Sequence, residues 1–184
     1  MEIITTDLVE RATFVAVVAH KDQVRKSDGS PYIVHPLMVA RIVASYNFPN
    51  EVVAAALVHD VLEDSNITEN ELCNLLNEEV VAIVTAVSED KSLPWKDRKQ
   101  QYIDAVSMSN EYTKAVSVAD KIHNAQSLIA AHRAFGPSVW EKFNQGRDMK
   151  VWFERTLCDQ LQKNWEHPLL EEYATLVIEL EKLP

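Results

Sequence analysis

The stretch ALVHDVLEDSN, residues 56–66, decides how this chain is read. Small apolar residues run straight into His59, Asp60, Glu63 and Asp64. Just upstream, Pro49 and Asn50 are helix-start signals, and Val52–Val58 is apolar on every side, the pattern of a helix buried on most faces. A histidine and three carboxylates at the end of such a helix call for a solvated end, a capping cluster or an ion.

Helical periodicity extends outward from this segment in both directions. TTDLVERATFVAVVAHKDQ repeats apolar residues at Leu8, Ala12, Val15 and Ala19, with Thr5 or Thr6 as its N-cap. VRKSDGSPYIVHP breaks the pattern with Asp28-Gly29 and two prolines. Pro36 then falls in the first turn of the next helix, where its missing N–H costs nothing. Downstream, Thr68 and Glu71 form a capping box, EEVVAIVTAVSED continues helical, and Pro94 precedes a basic opening turn. NEYTKAVSVADKIHNAQSLIAAHR makes one long helix ending before Gly136-Pro137, and two or three more helices fill the C-terminal third. No repeat, low-complexity tract or linker interrupts the chain. The expectation is an all-α fold, a single domain over residues 1–184 with roughly eight to nine helices, its motif core at about 7–130 and helices in 137–183 completing it.

Composition agrees. Only 3 glycines occur in 184 residues, too few for turn-rich β architectures or Gly-rich phosphate loops. A formal net charge of −10 argues against a nucleic-acid or anionic-membrane partner, yet a divalent ion and a few local cations can still admit a small anion. Cys73 and Cys158 lack metal or disulfide spacing and read as buried thiols of a reducing compartment. The first residues lack a signal-peptide pattern and no apolar run approaches a membrane span, so a soluble cytoplasmic protein is expected.

His59 and Asp60, adjacent on a helix, splay by about 100° and can share one ion lying between their directions. His35, at the mouth of the preceding helix, and Asp120, inside apolar VSVADKIHN, are the other candidate ligands. Asp120 has an alternative partner in Lys121 or Lys114. Two imidazoles and two carboxylates suit Mn²⁺, Fe²⁺ or Zn²⁺ with open positions, and the lack of a thiolate disfavours a closed structural zinc site. Glu63 and Asp64 follow His59 and Asp60 by one turn, where a general base can take a proton from attacking water. A solvated helix end is the alternative, although carboxylates there oppose the helix dipole. Asn124, one turn after Asp120, faces the same way and can hydrogen-bond a ligand or belong to a polar stripe.

RKSDGSPYIVHP, AALVHDVLEDS and VADKIHN, in that order, resemble the HD-domain metal-dependent phosphohydrolases, and among them the hydrolase domain of the RelA/SpoT alarmone enzymes and their stand-alone small relatives. The resemblance implies an enzyme that cleaves the 3′-pyrophosphate of guanosine 3′,5′-bis(diphosphate), the stringent-response alarmone, usually with Mn²⁺. It implies His35, His59, Asp60 and Asp120 as metal ligands, and Glu63 and Asp64 as the acids that activate or position water. Arg25, Lys26 and Asn124 would contact the nucleotide. At 184 residues, no synthetase domain is expected beside the hydrolase domain. Trp152, Phe153, Arg147 and Arg155 read better as packing or surface charge than as pocket residues. The C-terminal tryptophans Trp140, Trp152 and Trp165 fit either core or a homodimer interface.

Overall fold

The computed structural model describes residues 5–25 and 29–184, so the expectation for Lys26 falls outside the described residues. The first helix, α1 (Leu8–Ala19), starts one residue later than expected. Asp7, not Thr5 or Thr6, is its N-cap, and its carboxylate accepts the Glu10 N–H at 2.8 Å. A carboxylate satisfies that orphan donor and also complements the positive helix end, which a hydroxyl does less well. Thr5 instead donates to the Glu10 side chain at 2.5 Å.

The connection to α2 (Val34–Ser45) folds back on itself: Arg25 N–H donates to Ser30 O at 2.9 Å and Tyr32 N–H to Gln23 O at 2.9 Å. Gly29, at φ +76°, supplies the left-handed turn residue. The next helix, α3 (Asn50–Val58), is buried at every position from Val52 to Val58. It does not continue through the motif as one helix. The chain breaks at His59–Asp60 and resumes as the single turn α4 (Val61–Asp64).

The capping box expected at Thr68 and Glu71 opens α5 (Glu69–Leu75), and Asn77 caps α6 (Glu78–Val87). Pro94 precedes α7 (Trp95–Met108). Asn110 accepts the Thr113 N–H at 3.0 Å and starts α8 (Glu111–Phe135), which Gly136 ends at φ +68°. A 3₁₀ segment (Gly136–Lys142), α9 (Gly146–Leu161) and α10 (Pro168–Lys182) follow. Counting α4 as the continuation of α3, nine α-helices span the described residues, and no named strand is present among them.

The main core forms around α3, which packs on α1, α2, α6 and α8. Its three consecutive alanines, Ala54–Ala56, let those neighbours approach closely; a larger side chain there would overpack by about 1–3 kcal/mol. The long helix α8 joins two apolar clusters. Ala115, Val116, Val118, Ala119 and Ile122 belong to the main core, and Ala125, Leu128 and Ile129 pack with Val139, Trp140 and Leu180 in the second. Trp140 is therefore core, Trp152 lies against Trp95, and Trp165 stacks on His167. Asp120 lies on α8 close to where the clusters meet. Cys158 is buried, Cys73 half-buried, and both are free thiols. No described helix is long and apolar enough to cross a membrane.

Candidate metal centre and cleft

Three separate elements bring four side chains to one point. His35 sits in the first turn of α2, His59 and Asp60 occupy the break between α3 and α4, and Asp120 projects from α8. His35 Nε2 lies 3.0 Å from Asp120 Oδ1 and 3.6 Å from Asp60 Oδ2. His59 Nε2 lies 3.1 Å from Asp60 Oδ2 and 3.8 Å from Asp120 Oδ1. Ligand atoms of His35, His59 and Asp120 all fall within 4.8 Å of one another, as a shared ion requires. Asp60, at φ −94° and ψ −3°, lies in the break between α3 and α4, with its carboxylate 3.1 Å from His59 Nε2.

The donor set fits a cation on physical grounds. His59 Nδ1 is 2.8 Å from the Ala56 carbonyl, which can only accept, so Nδ1 carries the proton. That leaves Nε2 as a buried nitrogen without a hydrogen-bond partner, facing two carboxylate oxygens. A lone pair opposed to two carboxylates is repulsive unless a positive charge lies between them, either a proton or a metal ion. The mutual electrostatics of the four groups act in the same sense. Burial pushes the Asp60 carboxyl up, but the two imidazoles outweigh it and hold the group below its ordinary range. Burial also raises Asp120, and Lys121 with both histidines overrides it downward. His59 is held up by the carboxylates against its burial, whereas burial wins at His35 and lowers it.

Around these four groups runs a second set of contacts. Tyr32 OH donates to Asp60 Oδ2 at 2.6 Å. Lys121 Nζ donates to Asp120 Oδ2 at 2.6 Å, while Asp120 Oδ1 faces the histidines, so the carboxylate serves a salt bridge and the ion cluster at once. Lys114 is not its partner and donates to Asn164 instead. Asn124 Nδ2 donates to Asp120 Oδ1 at 2.5 Å, and Asn124 Oδ1 accepts from Arg25 at 3.1 Å. His35 Nδ1 meets His123 Nδ1 at 2.7 Å.

Glu63 and Asp64, expected as a pair, have separate surroundings. Asp64 lines the cleft described below and bonds Lys91 Nζ at 2.7 Å. Glu63 accepts the Glu89 N–H at 3.0 Å and lies 3.6 Å from Lys91 Nζ. Burial, reinforced by Asp60 and Glu89, raises the Glu63 carboxyl despite the opposing Glu89 N–H and Lys91. A carboxyl raised in this way is a better general base than an ordinary one. Lys91, which compensates the acid-bearing end of α4, had no signal in the local sequence.

A cleft of about 760 Å³ opens beside the cluster. Tyr32 and Asn124 line it and connect it to Asp60 and Asp120. Its far walls come from α7 and α9: Arg98, Lys99, Lys150 and Phe153. Lys99 Nζ stands 4.5 Å from the centre of the Phe153 ring, and Lys121 and Lys150 stand 5.5 and 5.7 Å from it. Glu89 pairs with Arg98 and Lys99, and Glu154 pairs with Lys150. The basic opening turn of α7 carries no local sign of this role, because its convergence with α9 is purely tertiary. Of the four C-terminal residues read as packing or surface charge, Phe153 is buried yet borders the cleft. Arg147 holds the Leu183 and Glu181 carbonyls, Arg155 pairs with Glu181, and Trp152 packs on Trp95.

Comparison with known proteins puts this geometry in context. A family model described as an HD domain matches residues 12–143. The chain is 36% identical over 126 residues to "Guanosine-3′,5′-bis(diphosphate) 3′-pyrophosphohydrolase MESH1" of Danio rerio, covering 67% of this chain and 70% of that protein. Its Homo sapiens counterpart is 37% identical over 124 residues, covering 66% and 69%. Among solved structures, the crystal structure of lmo0812 from Listeria monocytogenes EGD-e superposes with a TM-score of 0.76 at 35% identity, over 80% of this chain and 99% of that one. A second, titled "A metazoan ortholog of SpoT hydrolyzes ppGpp and plays a role in starvation responses", superposes over 100% of both chains with a TM-score of 0.81 at 25% identity.

Proposed function

The chain belongs to the HD-domain family, and on that premise we propose that it is a metal-dependent hydrolase that removes the 3′-pyrophosphate of guanosine 3′,5′-bis(diphosphate) or a closely related alarmone. The observation that carries the reading is the pairing of two imidazoles and two carboxylates with a cleft walled by Arg25, Arg98, Lys99 and Lys150, in a chain of net charge −10. Cations gathered against the overall charge mark the place for a polyanion.

His35, His59, Asp60 and Asp120 would hold a divalent ion; their mixed nitrogen and oxygen donors suit Mn²⁺, Fe²⁺ or Zn²⁺, and of these the alarmone-hydrolase resemblance points to Mn²⁺. When bound, such an ion supplies Lewis acidity to phosphoryl oxygens and makes water at the site a stronger acid. The chain's own residues do the rest. Glu63 takes the proton of the attacking water, its raised carboxyl making it a stronger base than an ordinary carboxylate. Asp64, on the cleft wall and oriented by Lys91, positions that water. Tyr32 holds Asp60 in place through its hydroxyl, and Asn124 ties Arg25 to Asp120, placing a guanidinium over the nucleotide side of the centre. Arg98, Lys99 and Lys150 meet phosphate. The bond between phosphorus and the 3′-oxygen breaks. Water's oxygen ends on the released pyrophosphate; the 3′-oxygen leaves on guanosine 5′-diphosphate and takes up a proton from solvent to become a hydroxyl, while Glu63 returns its proton to solvent.

The test is a product assay. Protein loaded with Mn²⁺ is incubated with guanosine tetraphosphate and with a panel of other nucleotides, and pyrophosphate is separated from orthophosphate. Pyrophosphate plus guanosine 5′-diphosphate supports the proposal. Orthophosphate alone, or binding without turnover in Mn²⁺, Fe²⁺ and Zn²⁺, overturns it.

A further inference from the structure

We propose that His123 is a positioning residue of the metal centre: its Nδ1 accepts the Nδ1 proton of His35, and so keeps the Nε2 lone pair of His35 aimed at the ion. The inference rests on the reading of His35 as a ligand. The two Nδ1 atoms are 2.7 Å apart between buried rings, whose centres are 5.0 Å apart and whose planes differ by 27°, so the rings meet nearly edge to edge. A contact so short between ring nitrogens holds one proton. Two would clash, and none would set two lone pairs against each other. His35 can ligate through Nε2 only if its single proton is on Nδ1, so that proton occupies the shared line and His123 is the acceptor.

The other histidine of the centre shows what is unusual here. His59 Nδ1 is fixed by the Ala56 carbonyl, a backbone acceptor that no substitution removes. His35 is at the start of α2 and relies on a side chain 88 residues away, one that can itself adopt either tautomer. Placement solves that problem. His123 follows Asp120 by three residues on α8, so one rigid helix delivers a ligand and the acceptor that orients the opposite ligand. Metal-binding histidines as a class are oriented by such outer contacts, whose loss weakens metal binding about 10- to 100-fold.

Two substitutions separate this role from packing. In His123→Asn the amide oxygen takes the place of Nδ1 and still accepts. In His123→Leu the volume is kept and the acceptor is gone. Calorimetric titration with Mn²⁺ alone, without nucleotide, should give wild-type affinity within about threefold for His123→Asn and a loss of about 10- to 100-fold for His123→Leu. Equal loss in both variants, or no loss in His123→Leu, overturns the proposal. A third measurement needs no variant. Long-range ¹H–¹⁵N spectra of the Zn²⁺-loaded wild type should show His123 protonated at Nε2 and bare at Nδ1, and the reverse tautomer refutes the assignment. His35→Ala is the control for the underlying reading. If it leaves Mn²⁺ binding unchanged, His35 is not a ligand and the metal assignment itself fails. If it abolishes binding while His123→Leu does not, only the positioning role fails.

Discussion

Replacing Glu63 with glutamine tests the proposed division of labour most sharply, because it removes one proton acceptor and little else. Glutamine keeps an oxygen where Glu63 Oε1 accepts the Glu89 N–H at 3.0 Å. The Lys91 contact, 3.6 Å from a half-exposed lysine, is worth under about 1 kcal/mol after solvent screening. The sign of the pH effect follows from the raised carboxyl. For an acid shifted upward by folding, the associated stabilisation is present below the unfolded value and lost as pH rises through the folded one, so Glu63 is a liability once it is charged. Glutamine removes that liability, and the Tm at pH 7.5 should stay level or rise slightly. Activity should move the other way. General-base catalysis is worth about 10²- to 10⁴-fold, or about 2.7–5.4 kcal/mol of barrier. Pyrophosphate release at saturating Mn²⁺ should fall by that factor with metal content intact. The acid limb of the wild-type profile, where kcat/KM drops as pH falls through the raised Glu63 value, should vanish in the variant. A kcat within threefold of wild type, or an unchanged acid limb, would show that Glu63 is not the base and would turn attention to Asp64.

Asp60→Ala removes a proposed ligand and leaves the Tyr32 hydroxyl without its acceptor; it should abolish both metal content, read by elemental analysis, and turnover. Chelation of the loaded wild type should lower its thermal stability, since a ligand at 100 times its Kd contributes about 2.7 kcal/mol, or about 5–10 °C in a chain of this size; a Tm insensitive to chelator would contradict an ion joining α2, α3 and α8. Lys99→Gln, which leaves Glu89 paired with Arg98, should raise KM about 10- to 100-fold with kcat nearly unchanged, because a charge-assisted hydrogen bond to phosphate is worth about 1.5–3 kcal/mol; an unaltered KM would remove the α7 wall from the substrate site.

Those parts of the centre that depend on local pattern were legible in the chain. An all-apolar helix ending in His59-Asp60, and an aspartate within VSVADKIHN, each violate burial rules locally, and the structure brings both to His35. Burial at Val52–Val58 followed from composition alone. The break between α3 and α4 did not, because no proline or glycine marks it. Tyr32, Lys91 and His123 went unrecognised for a different reason. Each is an ordinary residue in its own segment, and its partner lies 27 or more positions away. The same holds for the cleft wall, where Lys99 and Lys150 meet around Phe153 only after α7 and α9 pack.

The divided carboxylate of Asp120 has a consequence for how ligands arrive. One divalent ion neutralises the charges of Asp60 and Asp120 and no more. The Lys121 ammonium on the other oxygen of Asp120 would then be left over among these groups as a positive charge, in a chain of net charge −10. A polyanion disfavoured by the chain's net charge of −10 would be drawn to the cations that line this cleft. Encounter should therefore be funnelled rather than merely accelerated, and raising ionic strength would erode the guidance along with the attraction.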